Sequence, residues 1–158
     1  GTHPTTAMCV RQIETYLEPG NSFLDVGTGS GILMLAAAKM GANRLLGIDN
    51  DEIAVGIARE NMQLNLVNPE TYQFHTGHLA ESVGGRFEFI TANILFDVVM
   101  ELLDTVHHHL TKNGIFVCSG IIQRNAEAVT DKMTRKGYDT LEVLIQEEWA
   151  CIAGRYGG

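Results

Sequence analysis

Gly27, Gly29 and Gly31, in the run Asp25-Val26-Gly27-Thr28-Gly29-Ser30-Gly31, are the residues whose spacing first points to chemistry. A residue without a Cβ lets the backbone turn sharply and come close to a ligand. Asp49 follows 18 positions after Gly31. That is a separation at which a carboxylate can accept both hydroxyls of an adenosine ribose. Together the two features point to a nucleoside ligand. The plainer reading is a tight strand-to-helix turn that takes glycine and a helix start that takes Asp, and the glycines alone do not exclude it.

The spacing also bears on which nucleoside. A dinucleotide site uses Gly-x-Gly-x-x-Gly and sets a pyrophosphate over the helix N-terminus. Here the pattern is Gly-x-Gly-x-Gly with Asp25 two residues ahead. A carboxylate in that place repels a pyrophosphate and suits a ligand with a positive ammonium, such as the methionyl part of S-adenosyl-L-methionine.

The elements that must position these residues alternate along the chain. Strands are expected over residues 22–26, 44–48, 72–75, 87–92 and 115–121. Helical patterns lie between them over 32–40, after Asp49-Asn50-Asp51, over 95–110, and around Ala126, Val129 and Met133. Helix 32–40 is apolar nearly all round and so should be buried on more than one side. In the next helix Ile53, Ile57 and Leu64 share one face. No helical period is visible between residues 77 and 85. Such alternation implies parallel strands with helices on both faces. Strands at 138–145 and 149–155 have only three residues between them, too few for a parallel crossover, so they form an antiparallel hairpin. Ahead of the first strand, Val10, Ile13 and Leu17 form a helical stripe. The expected fold class is α/β: Rossmann-like and doubly wound, with a seven-stranded, mostly parallel sheet closed by a C-terminal antiparallel hairpin. That hairpin fits a methyltransferase sheet better than a dinucleotide domain.

At 158 residues and 45% hydrophobic, the chain has enough apolar content for one well-buried domain. Its apolar runs fall far short of the ~18 residues a membrane span takes, and no secretory leader is visible. Cys9, Cys118 and Cys151 are odd in number and widely spaced, which fits reduced thiols in a cytoplasmic protein. A formal charge of −8 argues against gripping a phosphate backbone and favours a basic partner.

The run from Asp25 to Gly31 followed by Gly47-Ile48-Asp49 resembles the class I S-adenosylmethionine methyltransferases. Gly1-Thr2-His3-Pro4-Thr5-Thr6, Thr91-Ala92-Asn93-Ile94-Leu95 and Glu148-Trp149 narrow the likeness to the PrmA family, which methylates ribosomal protein L11. The resemblance implies S-adenosyl-L-methionine as cofactor and Thr6, Gly27, Asp49 and Asn93 as cofactor-binding positions. Thr28 and Gly29 are added from the loop itself. It also implies a catalytic domain over 1–158, without the family's N-terminal substrate-recognition domain. The expected substrate is a basic ribosomal protein, with no direct nucleic acid and no membrane. Many class I enzymes place an acidic residue after the third strand near the adenine; Thr76-Gly77-His78-Leu79 stands there and assigns no contact.

A sulfonium is already an activated methyl donor, so the protein need only hold a neutral amine in line and exclude water. Asn93, after the fourth strand, is the catalytic candidate: its amide oxygen can accept a hydrogen bond from the substrate amine. The alternative is an Asn that ties down a loop. Thr5 and Thr6 read equally as a helix cap. His107, His108 and His109 read as a solvated helix end and a poor metal site, because neighbours on a helix diverge. Cys118 and Trp149 read as core. Methylation of another protein, a small molecule or a nucleic acid remains the alternative, with a dinucleotide-dependent oxidoreductase more remote.

Overall fold

The order of the strands follows from what each can bury. In the computed structural model, which describes residues 3–158, β1 (Ser22–Val26) is buried along its whole length and lies at the centre of the sheet. It pairs in parallel with β2 (Arg44–Asp49) on one side and β4 (Phe87–Asn93) on the other. β3 (Tyr72–Thr76), with one buried residue, takes the edge beside β2. β5 (Leu110–Ile122) runs parallel to β4, and β7 (Trp149–Tyr156) and β6 (Tyr138–Gln146) complete the sheet as an antiparallel hairpin. The full order is β3-β2-β1-β4-β5-β7-β6, so the winding reverses between β1 and β4. A crevice at the carboxyl ends of those two strands is where such a sheet binds ligands.

Helices cover both faces. α1 (Pro4–Tyr16), α2 (Ile32–Lys39) and α3 (Glu52–Leu64) share one core with Phe23 and Phe89. α4 (Phe96–Leu102) and α5 (Ala126–Arg135) share the other with Ile90 and Phe116. No helix among the described residues is long and apolar enough to cross a membrane.

Several expectations are revised. Ile53, Ile57 and Leu64 do share a face of α3, but it is the outward one; Val55, Ala58 and Met62 are buried, with Ala58 against Gly31 of the loop. The helix expected over 95–110 ends at Leu102 and gives way to a 3-10 turn, Val106–His109. The Lys132 ammonium of α5 donates to the Met100 carbonyl at 2.6 Å and pairs with Asp104 at 2.9 Å, anchoring that end of α4. β5 starts earlier than residue 115 because Leu110 already pairs with Phe87 of β4; the irregularity before Ile115 takes in Asn113 in a left-handed conformation, which Asn tolerates. The three histidines are not uniformly solvated. His107 and His109 are half-buried, and burial lowers the pKa of both. The opening helix is capped by neither threonine: the His3 ring nitrogen Nδ1 accepts from the Thr5 N–H at 3.2 Å, with Pro4 in the first turn. Gly1 and Thr2 of that opening lie outside the described residues. Cys118 is fully buried, and Trp149 is half-buried with its ring edge-on to His3.

Candidate active site

β1 delivers Gly27 at the switch point, and both Gly27 and Thr28 donate their N–H groups to the Ile48 carbonyl at 2.8 Å. The loop therefore folds over the end of β2 and brings Gly29 to Asp49. One Asp49 oxygen accepts from the Gly29 N–H at 2.9 Å, and the other accepts from the Asp51 N–H at 3.0 Å. A carboxylate has about four acceptor positions, so this fixed, half-buried group keeps lone pairs for two hydroxyls. Gly27 and Asp49 line a cleft of about 340 Å³ whose walls are mainly Val26, Ile48, Leu79, Ile94, Leu95 and Val98. Clefts of this kind, apolar with a few placed polar groups, are the usual form of small-molecule sites.

The residues fit a nucleoside: Asp49 keeps acceptor positions for the sugar, and the apolar walls offer faces to a flat base. Gly27 has φ +75°, and a Cβ there would come 2.6 Å from Ile94 Cγ2, so only glycine lets the two walls meet at this distance. Ile94 is itself seated by Gly120 (φ +85°) on β5, where a Cβ would collide with the Ile94 carbonyl.

Asn93 closes β4 beside Gly27, since Ala92 pairs with Val26. Its Nδ2 donates to Thr6 Oγ1 of α1 at 3.3 Å. The structure thus joins Asn93 to Thr6, and Asp49 to Gly29, around the same strand ends. Thr28 differs. Its hydroxyl donates to Asp25 Oδ2 at 2.9 Å and its side chain is buried, so it turns away from the cleft, whose lining does not include it.

Asp25 corrects the sequence reading. It is 1% exposed, below the loop, and its second oxygen accepts from the Thr91 hydroxyl at 2.8 Å. Burial pushes its pKa up to about 7 against the pull of the two hydroxyls, and Asp49 adds to the rise. A carboxyl so enclosed supports the loop and does not face a ligand ammonium. The stretch after β3, to which the sequence assigns no contact, does line the cleft through Gly77, His78 and Leu79; it carries no periodic signal, and its only mark is its place after β3.

The family described as ribosomal protein L11 methyltransferase (PrmA) matches residues 1–156. A ribosomal protein L11 methyltransferase of Desulfosudis oleivorans is 44% identical over 98% of this chain and 52% of its own length. The crystal structure of a ribosomal protein L11 methylase from Lactobacillus delbrueckii subsp. bulgaricus superposes with a TM-score of 0.92 at 29% identity, covering 99% of this chain and 81% of that one. A Thermus thermophilus 16S rRNA N2 G1207 methyltransferase, solved with AdoMet and guanosine, shares the fold at a TM-score of 0.80 and 20% identity, over 99% of this chain and 44% of that one. The chain spans about half the length of the curated relatives it matches. With its class I methyltransferase sheet and a family match along nearly its whole length, the chain belongs to the ribosomal protein L11 methyltransferase (PrmA) family.

Proposed function

We propose that residues 1–158 form one catalytic domain that binds S-adenosyl-L-methionine and transfers methyl groups from it to amino groups of ribosomal protein L11, lysine side chains and the α-amine. The observation that carries this reading is Asp49, fixed at the rim of an apolar cleft by the Gly29 and Asp51 amides with acceptor positions to spare. In this reading Asp49 grips the ribose hydroxyls, and the backbone of Gly27, Thr28 and Gly29 lies along the ligand. Thr6 and Asn93 border its reactive end. The cofactor supplies an already activated methyl group when bound.

The chain's own work is orientation. Because Asn93 Nδ2 donates to Thr6, its Oδ1 is the atom that would accept a hydrogen bond from a substrate amine, without adding charge. Holding the nitrogen in this way supplies the positional part of the rate enhancement. Ile94, half-buried on the cleft wall directly after Asn93, helps keep water from the reacting atoms. The −8 charge suits a basic ribosomal protein and disfavours a nucleic-acid grip, and a ribosomal substrate places the activity in the cytoplasm.

The test is transfer of labelled methyl groups to purified ribosomal protein L11, by this chain and by a relative of full length. Asn93→Ala should lose turnover far more than cofactor affinity; normal turnover would remove Asn93 from the mechanism. Calorimetry showing a nicotinamide dinucleotide bound in place of S-adenosyl-L-methionine would overturn the assignment.

A further inference from the structure

The amino ends of the parallel strands form the pole opposite the cofactor cleft, and the roles above leave it unused. A groove of about 530 Å³ crosses it, between the starts of β1, β2 and β4 and the first residues of β5. Its lining holds no apolar side chain; Arg44, Arg86 and Lys112 supply three positive charges and Glu88 the one negative charge. In a chain with 11 Lys and Arg against 19 Asp and Glu, this is a local reversal of sign. The carboxylate does not neutralise the cations. One Glu88 oxygen accepts from the Ser22 N–H at 3.1 Å and the Ser22 hydroxyl at 3.3 Å, and the other accepts from Asn21 Nδ2 at 3.1 Å. Among the described residues, none of the three cations forms an ion pair. Uncharged groups hold the arginines instead. Arg44 lies over the Phe87 ring at 4.5 Å and donates to the Arg86 carbonyl at 3.2 Å, while Arg86 donates to the Leu110 carbonyl at 2.8 Å. A guanidinium has five N–H donors, so each fork is fixed and keeps most of its donors. Two such forks without a carboxylate suit a phosphate group, whose oxygens take paired bonds.

We propose that this groove is a second ligand site, for a compact phosphate-bearing small molecule, held by the Arg44 and Arg86 guanidiniums with Lys112 adding charge. The net charge of −8 limits the size of the ligand. A long polyanion leaving the groove runs out over an acidic surface, whereas one phosphate or pyrophosphate group stays within the reversed patch. The site is independent of the cofactor. The five residues of β1 alone separate the two poles by roughly 16 Å, at about 3.3 Å per residue, which exceeds the screening length of ~10 Å.

The experiment is calorimetric titration of the chain with pyrophosphate in a low-salt, phosphate-free buffer. Saturable binding at one site is expected, and S-adenosyl-L-homocysteine should neither compete with it nor change its affinity. R44Q, which removes one fork, should weaken pyrophosphate about tenfold, the worth of one charge-assisted hydrogen bond. R44K, which keeps the charge and loses the fork, should recover little of that loss. K112A should cost about threefold, and E88Q, which removes the one carboxylate, should tighten binding about threefold; both keep the test open if R44Q does not fold. K39A, at the end of α2 and outside the groove, should change nothing. Absence of saturable binding by the wild type overturns the site, as does competition with S-adenosyl-L-homocysteine. So does an affinity that is unchanged in R44Q and E88Q, or a loss in K39A equal to that in R44Q, which would mean diffuse attraction by surface charge. A single-stranded RNA that binds more tightly than pyrophosphate would overturn the compact ligand.

Discussion

The two carboxylates that bracket the glycine loop have opposite fates. Asp25 lies at the base, sealed between Thr28 and Thr91, with burial holding its pKa near 7. Asp49 lies at the mouth, held only by the backbone amides of Gly29 and Asp51 and open to the cleft. In sequence they look alike: each ends or nearly ends a strand, two positions from a glycine. What separates them is the strand each belongs to. β1 is buried at every position, so its Asp must find partners inside the protein. β2 ends at the surface, and its last carboxylate can serve a ligand. One carboxyl holds the loop's shape and the other does its binding.

The sharpest break of that contrast is Asp25→Ala. It strands two buried hydroxyls and opens a void under the loop, which should cost about 2–4 kcal/mol of stability, read from denaturant unfolding. A loss below about 0.5 kcal/mol would show that the base of the loop is not held this way. Next comes pH. An acid with a folded-state pKa of about 7 keeps its proton where the unfolded chain, near an ordinary Asp value, has lost it. Its contribution is therefore full below about pH 4 and falls as pH rises towards 7, by up to about 1.4 kcal/mol per unit, then levels off. Asp25→Asn removes this term. The wild type minus Asp25→Asn stability difference should shrink between about pH 5 and about pH 7; a flat difference would mean that Asp25 is ionised throughout. At the mouth, Asp49→Ala should weaken S-adenosyl-L-homocysteine by roughly 1–3 kcal/mol for lost charge-assisted bonds, with a smaller effect on unfolding than Asp25→Ala. Equal affinity in calorimetry would take the ribose contact away from it.

The same contrast explains what could be read from sequence. Strand positions are legible because β1, β2 and β5 each hold a short apolar run (Phe23-Leu24, Leu45-Leu46 and Ile115-Phe116-Val117), a signal of local composition alone. The facing of α3 is not. Ile53, Ile57 and Leu64 have the right spacing for a core face, yet α3 turns Ala58 and Met62 inward because the helix must lie against Gly31. Which of two faces is buried depends on the partner's shape, and no local period records it. The site divides in the same way. Gly27 and Asp49 were legible from spacing, whereas the joining of Asn93 to Thr6, 87 positions away, is set by how α1 packs across β4 and β5. Asp25 was misplaced because the loop pattern tells where a carboxylate stands along the chain but not on which side of the loop its oxygens find partners.

Thr28 sits at the boundary between base and mouth, so the smallest effect is also the most discriminating. Its backbone belongs to the loop, but its hydroxyl points down to Asp25 Oδ2 and is buried. Thr28→Val keeps the shape and the loop N–H while removing only that donor. Asp25 retains its bond from Thr91, so the loss should be about 1 kcal/mol of stability, the net worth of one such bond. Cofactor affinity should stay within about twofold, because nothing that faces the cleft has changed. Without that hydroxyl an ionised Asp25 is less well solvated, so its pKa should move further up and the fall in stability with pH should extend to higher pH. A large loss of affinity with unchanged stability would instead mean that the hydroxyl rotates out to the ligand, and the division between the two ends of the loop would no longer hold at this residue.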